Sequence, residues 1–283
     1  MDVVVVGAGI AGLMCARRLV DEGIDVTVLE RMATPGGRMA TERFAGAVCD
    51  TGAQFFTVRT PVFQALVDGW LRDGVVREWC RGFGPEPDGF PRYIGASGMD
   101  SIGGTVAADL DVQYGIEMHD IASLAADAVV VTAPNEHEYD PMLAALCVLD
   151  GESAVPAPGG LPLTDHEWFG FVADNQAKGI SSVPALTLHA RPGLTATVEE
   201  LVDAAAPFIG AANVVETRLV SWQHGRPKAV TGPGCRVVER DPRLVVVAGD
   251  QYGGMPSRVE GAVLSGLAAA DEVLTRPGAS RSS

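Results

Sequence analysis

Apolar positions along the chain follow two periods. Val3 to Val6 form an unbroken apolar run, the pattern of a parallel strand covered on both faces. In the next segment, LMCARRLVDEG, Leu13, Ala16, Leu19 and Val20 fall at helical spacing and Gly23 acts as a stop. IDVTVLE then returns to strand and ends on Glu30. TPVFQALVDGWLRDG predicts a helix capped by Thr60, with Pro61 in its first turn and a buried stripe of Val62, Phe63, Leu66, Val67, Trp70 and Leu71. DVQYGIEMHDI and DAVVVTAP predict strands, and WFGFVAD and PALTLHA alternate as antiparallel strands do. TVEELVDAAAPFIG opens on the capping box Thr197…Glu200. RLVVVAGD reads as a buried strand, and SRVEGAVLSGLAAADEVL as a final helix with the box Ser257…Glu260. The last residues, RPGASRSS, read as a frayed tail.

The first strand, helix and second strand enclose Gly7, Gly9 and Gly12 at G-x-G-x-x-G spacing. Gly7 permits a tight turn, Gly9 lets a pyrophosphate approach the backbone, and Gly12 lets helix pack on strand. The helix N-terminus offers unpaired N–H groups and partial positive charge to phosphates. Glu30, at the tip of the second strand, can accept hydrogen bonds from a ribose. A dinucleotide site is therefore expected. A second flexible segment follows in ERMATPGGRMATER, where Gly36 and Gly37 precede Arg38, a fixed guanidinium suited to phosphate oxygens.

Composition narrows the function classes. The 283 residues are 47% hydrophobic and 20% charged, as in a soluble globular enzyme. A formal charge of −15 argues against nucleic acid or an anionic membrane as partner. No apolar run reaches the length of a membrane span and no basic leader precedes the first strand, so a cytoplasmic location is expected. Cys15, Cys49, Cys80, Cys147 and Cys235 are scattered without C-x-x-C spacing, which suits reduced thiols, and the five histidines show no metal-ligand pattern.

The stretches VVVVGAGIAG…VTVLE, GGRMAT, DTGAQFFT, RYIGASGM, SWQHGRP and VVVAGDQYGG…RVEGAVLSG together resemble the FAD-dependent amine-oxidase superfamily, most closely its renalase-type members. The resemblance implies an α/β fold: a Rossmann-type FAD-binding domain with a parallel sheet, and a discontinuous α+β substrate domain on an antiparallel sheet. Residues 1–58, 97–135 and 218–283 are expected in the first, and 59–96 and 136–217 in the second. It also implies non-covalent FAD. Gly7, Gly9, Ala11, Gly12, Glu30 and Arg31 would hold the ADP half, and Gly36, Gly37, Arg38 and Met39 would lie near the pyrophosphate. Gly249 and Asp250 would meet the ribityl chain, and Val259, Glu260 and Gly261, opening the last helix, would face the flavin N1 edge. A helix N-terminus there stabilises the negative charge that reduction places on N1.

The implied chemistry is hydride transfer to flavin from a small substrate, a misreduced dihydronicotinamide nucleotide, with oxygen reduced to hydrogen peroxide. Such a step needs no general base. Candidates for the substrate face are Gln54, Tyr93, Trp222 and His224. Two bland roles stay open: Trp222 as filler between domains, and His224 as an ordinary loop histidine. Departures from the family pattern are the short region from Gly115 to Asp127 and Gln223 in place of an arginine. A flavin amine oxidase, whose pocket would be walled by aromatic rings, and a flavin-binding protein without turnover are the alternatives.

Overall fold

A computed structural model describes residues 1–132, 138–232, 234–254 and 258–276. Ser257 and most of the expected tail lie outside the described residues. The strands are β1 (Asp2–Val6), β2 (Asp25–Glu30), β3 (Thr41–Phe44), β4 (Ala47–Asp50), β5 (Val76–Cys80), β6 (Arg92–Gly95), β7 (Asp111–Tyr114), β8 (Ala128–Val131), β9 (Tyr139–Leu149), β10 (Gly160–Pro162), β11 (Phe169–Asp174), β12 (Ala185–Ala190), β13 (Val214–Pro227), β14 (Arg236–Glu239) and β15 (Leu244–Val247). The helices are α1 (Ile10–Asp21), α2 (Pro61–Arg72), α3 (Asp100–Ala107), α4 (Val198–Ala204), α5 (Ala206–Ile209) and α6 (Val259–Leu274).

One sheet has the order β14-β15-β8-β1-β2-β7, parallel except for β14. After β1 the chain builds β2 on one side, and it later places β8 on the other. That reversal opens a crevice at the carboxyl ends of the strands, where such sheets bind ligands. Gly7, Thr132 and the Gly249–Asp250 pair follow strands that end there, and Glu30 closes β2 there. The second sheet, β10-β11-β12-β9-β13, is antiparallel, with α4 and α5 on its outer face. Its inner face presents Leu146 and Val148 to Phe44 and Cys49 of the β3–β4 hairpin.

The structure differs from the expected division in two places. Phe63, Val67, Trp70, Val76 and Ile94 share one core with the parallel sheet, so α2 and the starts of β5 and β6 pack with the dinucleotide unit, while Trp79 and Phe83 reach the antiparallel sheet. Residues 218–227 belong to β13 and hence to the antiparallel sheet. The stripe of α2 is also narrower than the pattern predicted. Phe63, Val67 and Trp70 are buried at i, i+4 and i+7, whereas Val62 and Leu71 face solvent. Thr60 caps α2 as expected, its hydroxyl accepting from Phe63 N–H at 3.3 Å. The predicted strand from Asp111 runs only to Tyr114.

Candidate functional site

The glycine loop shows why these positions exclude side chains. Gly7 has φ +104°, in the region that favours glycine. A Cβ on Gly12 would stand 2.0 Å from Gly7 O, so α1 can approach its strand only through glycine. A Cβ on Gly9 would meet nothing within 4 Å, which leaves open space over its backbone. Gly9 caps α1 without a side-chain hydrogen bond, and no acidic residue lies in the first turn. The N-terminal N–H groups therefore keep their affinity for an anion. Gly36 N–H donates to Ala8 O at 2.8 Å and Gly37 lies against Gly9, so the second glycine pair floors the first loop.

Glu30 is buried, and its carboxylate is fixed by N–H donors from Ala8 at 2.6 Å and Met32 at 2.8 Å. Two donors leave lone pairs free for hydroxyl groups of a ribose. Arg31 is exposed beside it. Ala11 is buried at the head of α1, and its carbonyl would stand 2.0 Å from a Cβ on Gly266, so α1 and α6 cross at a glycine. Met39 is 3% exposed and its side chain belongs to the apolar core, which leaves no side-chain role in the cleft.

Arg38 and Asp250 form a bidentate pair at 2.8 Å through both nitrogens and both oxygens. Tyr139 completes it, its hydroxyl donating to Asp250 Oδ1 at 2.7 Å while its ring lies under the guanidinium. Burial and the adjacent Asp250 carboxylate push the Tyr139 phenol well above its usual range, so it stays a donor. Gly249 N–H is held by Ser265 Oγ at 2.9 Å, which anchors this turn to α6. Val259 and Gly261 sit buried at the start of α6, and a Cβ on Gly253 would strike Gly261 O, so the 250–254 turn lies directly on the helix end. Glu260 differs from the expectation. Its carboxylate accepts from Arg59 N–H at 2.9 Å and Thr60 N–H at 2.7 Å, and so anchors the entry of α2 rather than facing a cofactor.

The antiparallel sheet closes on the turn Asp50–Gln54 through side-chain bonds to its carbonyls. Thr187 Oγ1 donates to Asp50 O at 3.0 Å, and Trp222 Nε1 donates to Thr51 O at 3.1 Å. His189 Nε2 lies 3.1 Å from the same Thr51 oxygen. A carbonyl only accepts, so Nε2 carries the hydrogen and Nδ1 is the acceptor. Burial pushes the His189 pKa down to about 4, and the ring is neutral at pH 7. His224, two residues after Trp222 on β13, packs edge-on against Tyr139. Thus β13 carries Trp222 to the Asp50–Gln54 turn and His224 to Tyr139 of the clamp.

Gln54 lies on the inner side of the same turn, its Nε2 3.4 Å from His189 Nε2, and Tyr93 lies apart. Gln54 Nε2 donates to Asp50 O at 2.6 Å and Gly52 O at 3.3 Å, while Oε1 accepts from Lys178 Nζ at 3.3 Å. Its amide is engaged inside the protein and braces the turn from behind. Tyr93 stacks on Phe56 against the core of the dinucleotide unit. Sequence reasoning missed Tyr139, His189 and Lys178. Lys178 forms a fully buried ion pair with Asp50, Nζ to Oδ2 2.6 Å, and sits over the Trp79 ring. Only its position just after the strand ending at Asp174 could have marked it.

Residues 5–70 match the family described as NAD(P)-binding Rossmann-like domain. Over 57 residues the chain is 53% identical to a hydroxyneurosporene desaturase from Rubrivivax gelatinosus, covering 20% of this chain and 11% of that protein. Over 67 residues it is 48% identical to a putrescine oxidase from Kocuria rosea, covering 24% and 14% respectively. The aligned stretch thus spans about a tenth to a seventh of these relatives. Among solved structures, a putrescine oxidase bound to putrescine superposes with TM-score 0.67 over 97% of this chain and 99% of that one, at 15% identity. Reduced UDP-galactopyranose mutase gives 0.70 over 96% and 95%, at 13% identity. The fold, a Rossmann-type unit joined to an antiparallel sheet, is therefore shared along nearly the whole chain. No helix among the described residues is long and apolar enough to cross a membrane.

Proposed function

We propose that this chain is an FAD-dependent oxidoreductase of the amine-oxidase superfamily, renalase-like in removing hydride from a misreduced dihydronicotinamide nucleotide. The observation that carries the reading is the convergence of three features on one cleft. These are the open backbone at Gly9 after β1, the ribose acceptor Glu30 at the end of β2, and the clamp of Arg38 and Asp250 with Tyr139, which opens β9 of the antiparallel sheet. When bound, FAD supplies a two-electron acceptor that is reoxidised by oxygen to hydrogen peroxide. The α1 N-terminus and the glycine loop hold the pyrophosphate, Glu30 accepts from the ribose, and Asp250 accepts from the ribityl hydroxyls. Trp222 and His189 are both fixed on Thr51 O, beside the turn that carries Gln54.

Hydride loss from a dihydropyridine yields an aromatic pyridinium, so the substrate needs no proton removed first. The neutral His189, its Nε2 tied to a carbonyl, is consistent with that. A flavin amine oxidase would need a ring-walled pocket open to an amine. Here the rings of Phe55, Trp79, Phe83 and Phe171 pack on one another, with Arg92 over Phe55 and Phe83 and Lys178 over Trp79, and cations in those places disfavour a positively charged amine. The deciding experiment is an anaerobic absorbance titration of the FAD-loaded protein with 2- and 6-dihydroNAD(P), ordinary NAD(P)H and a panel of amines. Bleaching by the isomeric dihydronucleotides alone is expected. Bleaching by amines would replace the reading with the amine oxidase one, and bleaching by none would favour a protein without turnover.

A further inference from the structure

The stretch from Gly225 to Thr231 is tied at both ends to the clamp region. Gly225 O accepts from Arg38 Nη1 at 3.5 Å, and Thr231 N–H donates to Gln251 O at 2.8 Å. Between these ties Pro227 lies opposite Tyr139 in the sheet. Over this stretch opens a cavity of about 510 Å³, lined by Asp140, Pro192, Arg226, Lys228 and Val230 among others.

Its local charge is opposite in sign to the chain's formal charge of −15. The Arg226 guanidinium makes neither hydrogen bond nor ion pair among the described residues. Lys228 Nζ approaches Asp140 only to 4.0 Å, with both side chains about half exposed, a contact that solvent screens and that leaves ammonium donors free. Two cations and one carboxylate give the cavity a local positive balance. A guanidinium with open donors suits phosphate oxygens.

Position links the cavity to the site. Trp222 pairs with Met142 and Arg226 with Asp140, so β13 advances four residues while its partner advances two. At about 3.3 Å per residue the separation from Trp222 to Arg226 is about 7–13 Å, a span that a ring, a sugar and a phosphate fill. We propose that Arg226 and Lys228 form a phosphate subsite, which holds the phosphate-bearing end of a nucleotide substrate whose reactive ring lies beside Trp222. The inference rests on the dihydronicotinamide reading above and adds to it the groups that recognise the nucleotide.

The experiment measures anaerobic flavin reduction in FAD-loaded wild type and Arg226→Gln/Lys228→Gln. Two donors are compared: 6-dihydroNAD, and N-methyl-1,6-dihydronicotinamide, which carries the ring without phosphate. The ratio of their second-order rate constants, nucleotide over ring alone, is expected to fall about tenfold or more in the variant. High salt is expected to lower the same ratio in wild type. An unchanged ratio overturns the subsite, whether both rates fall together or neither does. Weaker FAD binding by the variant apoprotein also overturns it, because the cations would then serve the cofactor. If wild type is reduced by neither donor, the dihydronicotinamide reading fails. The subsite is then decided by ADP-ribose binding, followed through the flavin spectrum. Weaker binding by the variant supports it, and equal binding or none to wild type overturns it.

Discussion

Lys178→Met tests how the cleft is held. Lys178 and Asp50 are both fully buried, at 0% side-chain exposure, with Nζ 2.6 Å from Oδ2. Asp50 Oδ1 also accepts from the Thr41 hydroxyl at 2.6 Å and Met99 N–H at 2.8 Å, and Lys178 donates to Gln54 Oε1 at 3.3 Å. Removing the ammonium leaves a buried carboxylate with two neutral donors and no counter-charge. Loss of one partner of a buried pair costs about 3–5 kcal/mol. The two remaining donors offset part of this, so a loss of about 3 kcal/mol is expected in the midpoint of urea unfolding, converted with an unchanged m-value. Asp50→Asn/Lys178→Met leaves no lone charge, and its new amide can donate to the freed Gln54 Oε1. It is therefore expected to be more stable than Lys178→Met alone. A Lys178→Met protein within about 0.5 kcal/mol of wild type, or a double variant less stable than the single one, refutes this account of the pair.

Three further outcomes follow from the site. Gly9→Ala is expected to leave the urea midpoint nearly unchanged, because its Cβ meets nothing within 4 Å, while flavin-fluorescence titration shows FAD binding sharply weakened; equal binding would remove the pyrophosphate from this loop. Gly12→Ala, whose Cβ would stand 2.0 Å from Gly7 O, is expected to lower the stability of the apoprotein as well. His189 has its pKa lowered from 6.5 to about 4 by burial, so the unfolded chain binds the extra proton first as pH falls. Its contribution to stability is full above pH 6.5 and is lost progressively as pH drops towards 4, by up to about 3 kcal/mol, and His189→Gln is expected to flatten that part of the pH–stability curve.

The dinucleotide unit was legible because its chemistry is local. Gly7, Gly9, Gly12 and Glu30 lie within one strand–helix–strand run, and each residue type has a single geometric reason to be there. The α2 stripe was read too wide for a related reason: periodicity reports a face, but the depth of burial depends on what covers it. Val62 and Leu71 flank the true seam of Phe63, Val67 and Trp70 and face water. What escaped notice depends on partners far away in the chain. Lys178 meets Asp50 across 128 positions, Tyr139 meets Asp250 across 111, and His189 meets Thr51 across 138.

Gln54 shows the limit most clearly. Its place in DTGAQFFT, and the pair of donors and one acceptor on its amide, suit a substrate contact as well as a brace. The choice between the two is made by Lys178, which reaches in from the turn between β11 and β12 and occupies Oε1, and by the Asp50 and Gly52 carbonyls, which take both amide hydrogens. Trp222 is the converse case. Its indole N–H could have faced any acceptor, yet β13 delivers it to Thr51 O, the same oxygen that fixes the tautomer of His189. One backbone carbonyl thus sets two ring side chains from different strands. A side chain's role can be read from sequence when its hydrogen-bond partners are neighbours in the chain; when topology supplies them, the residue type constrains the role without deciding it.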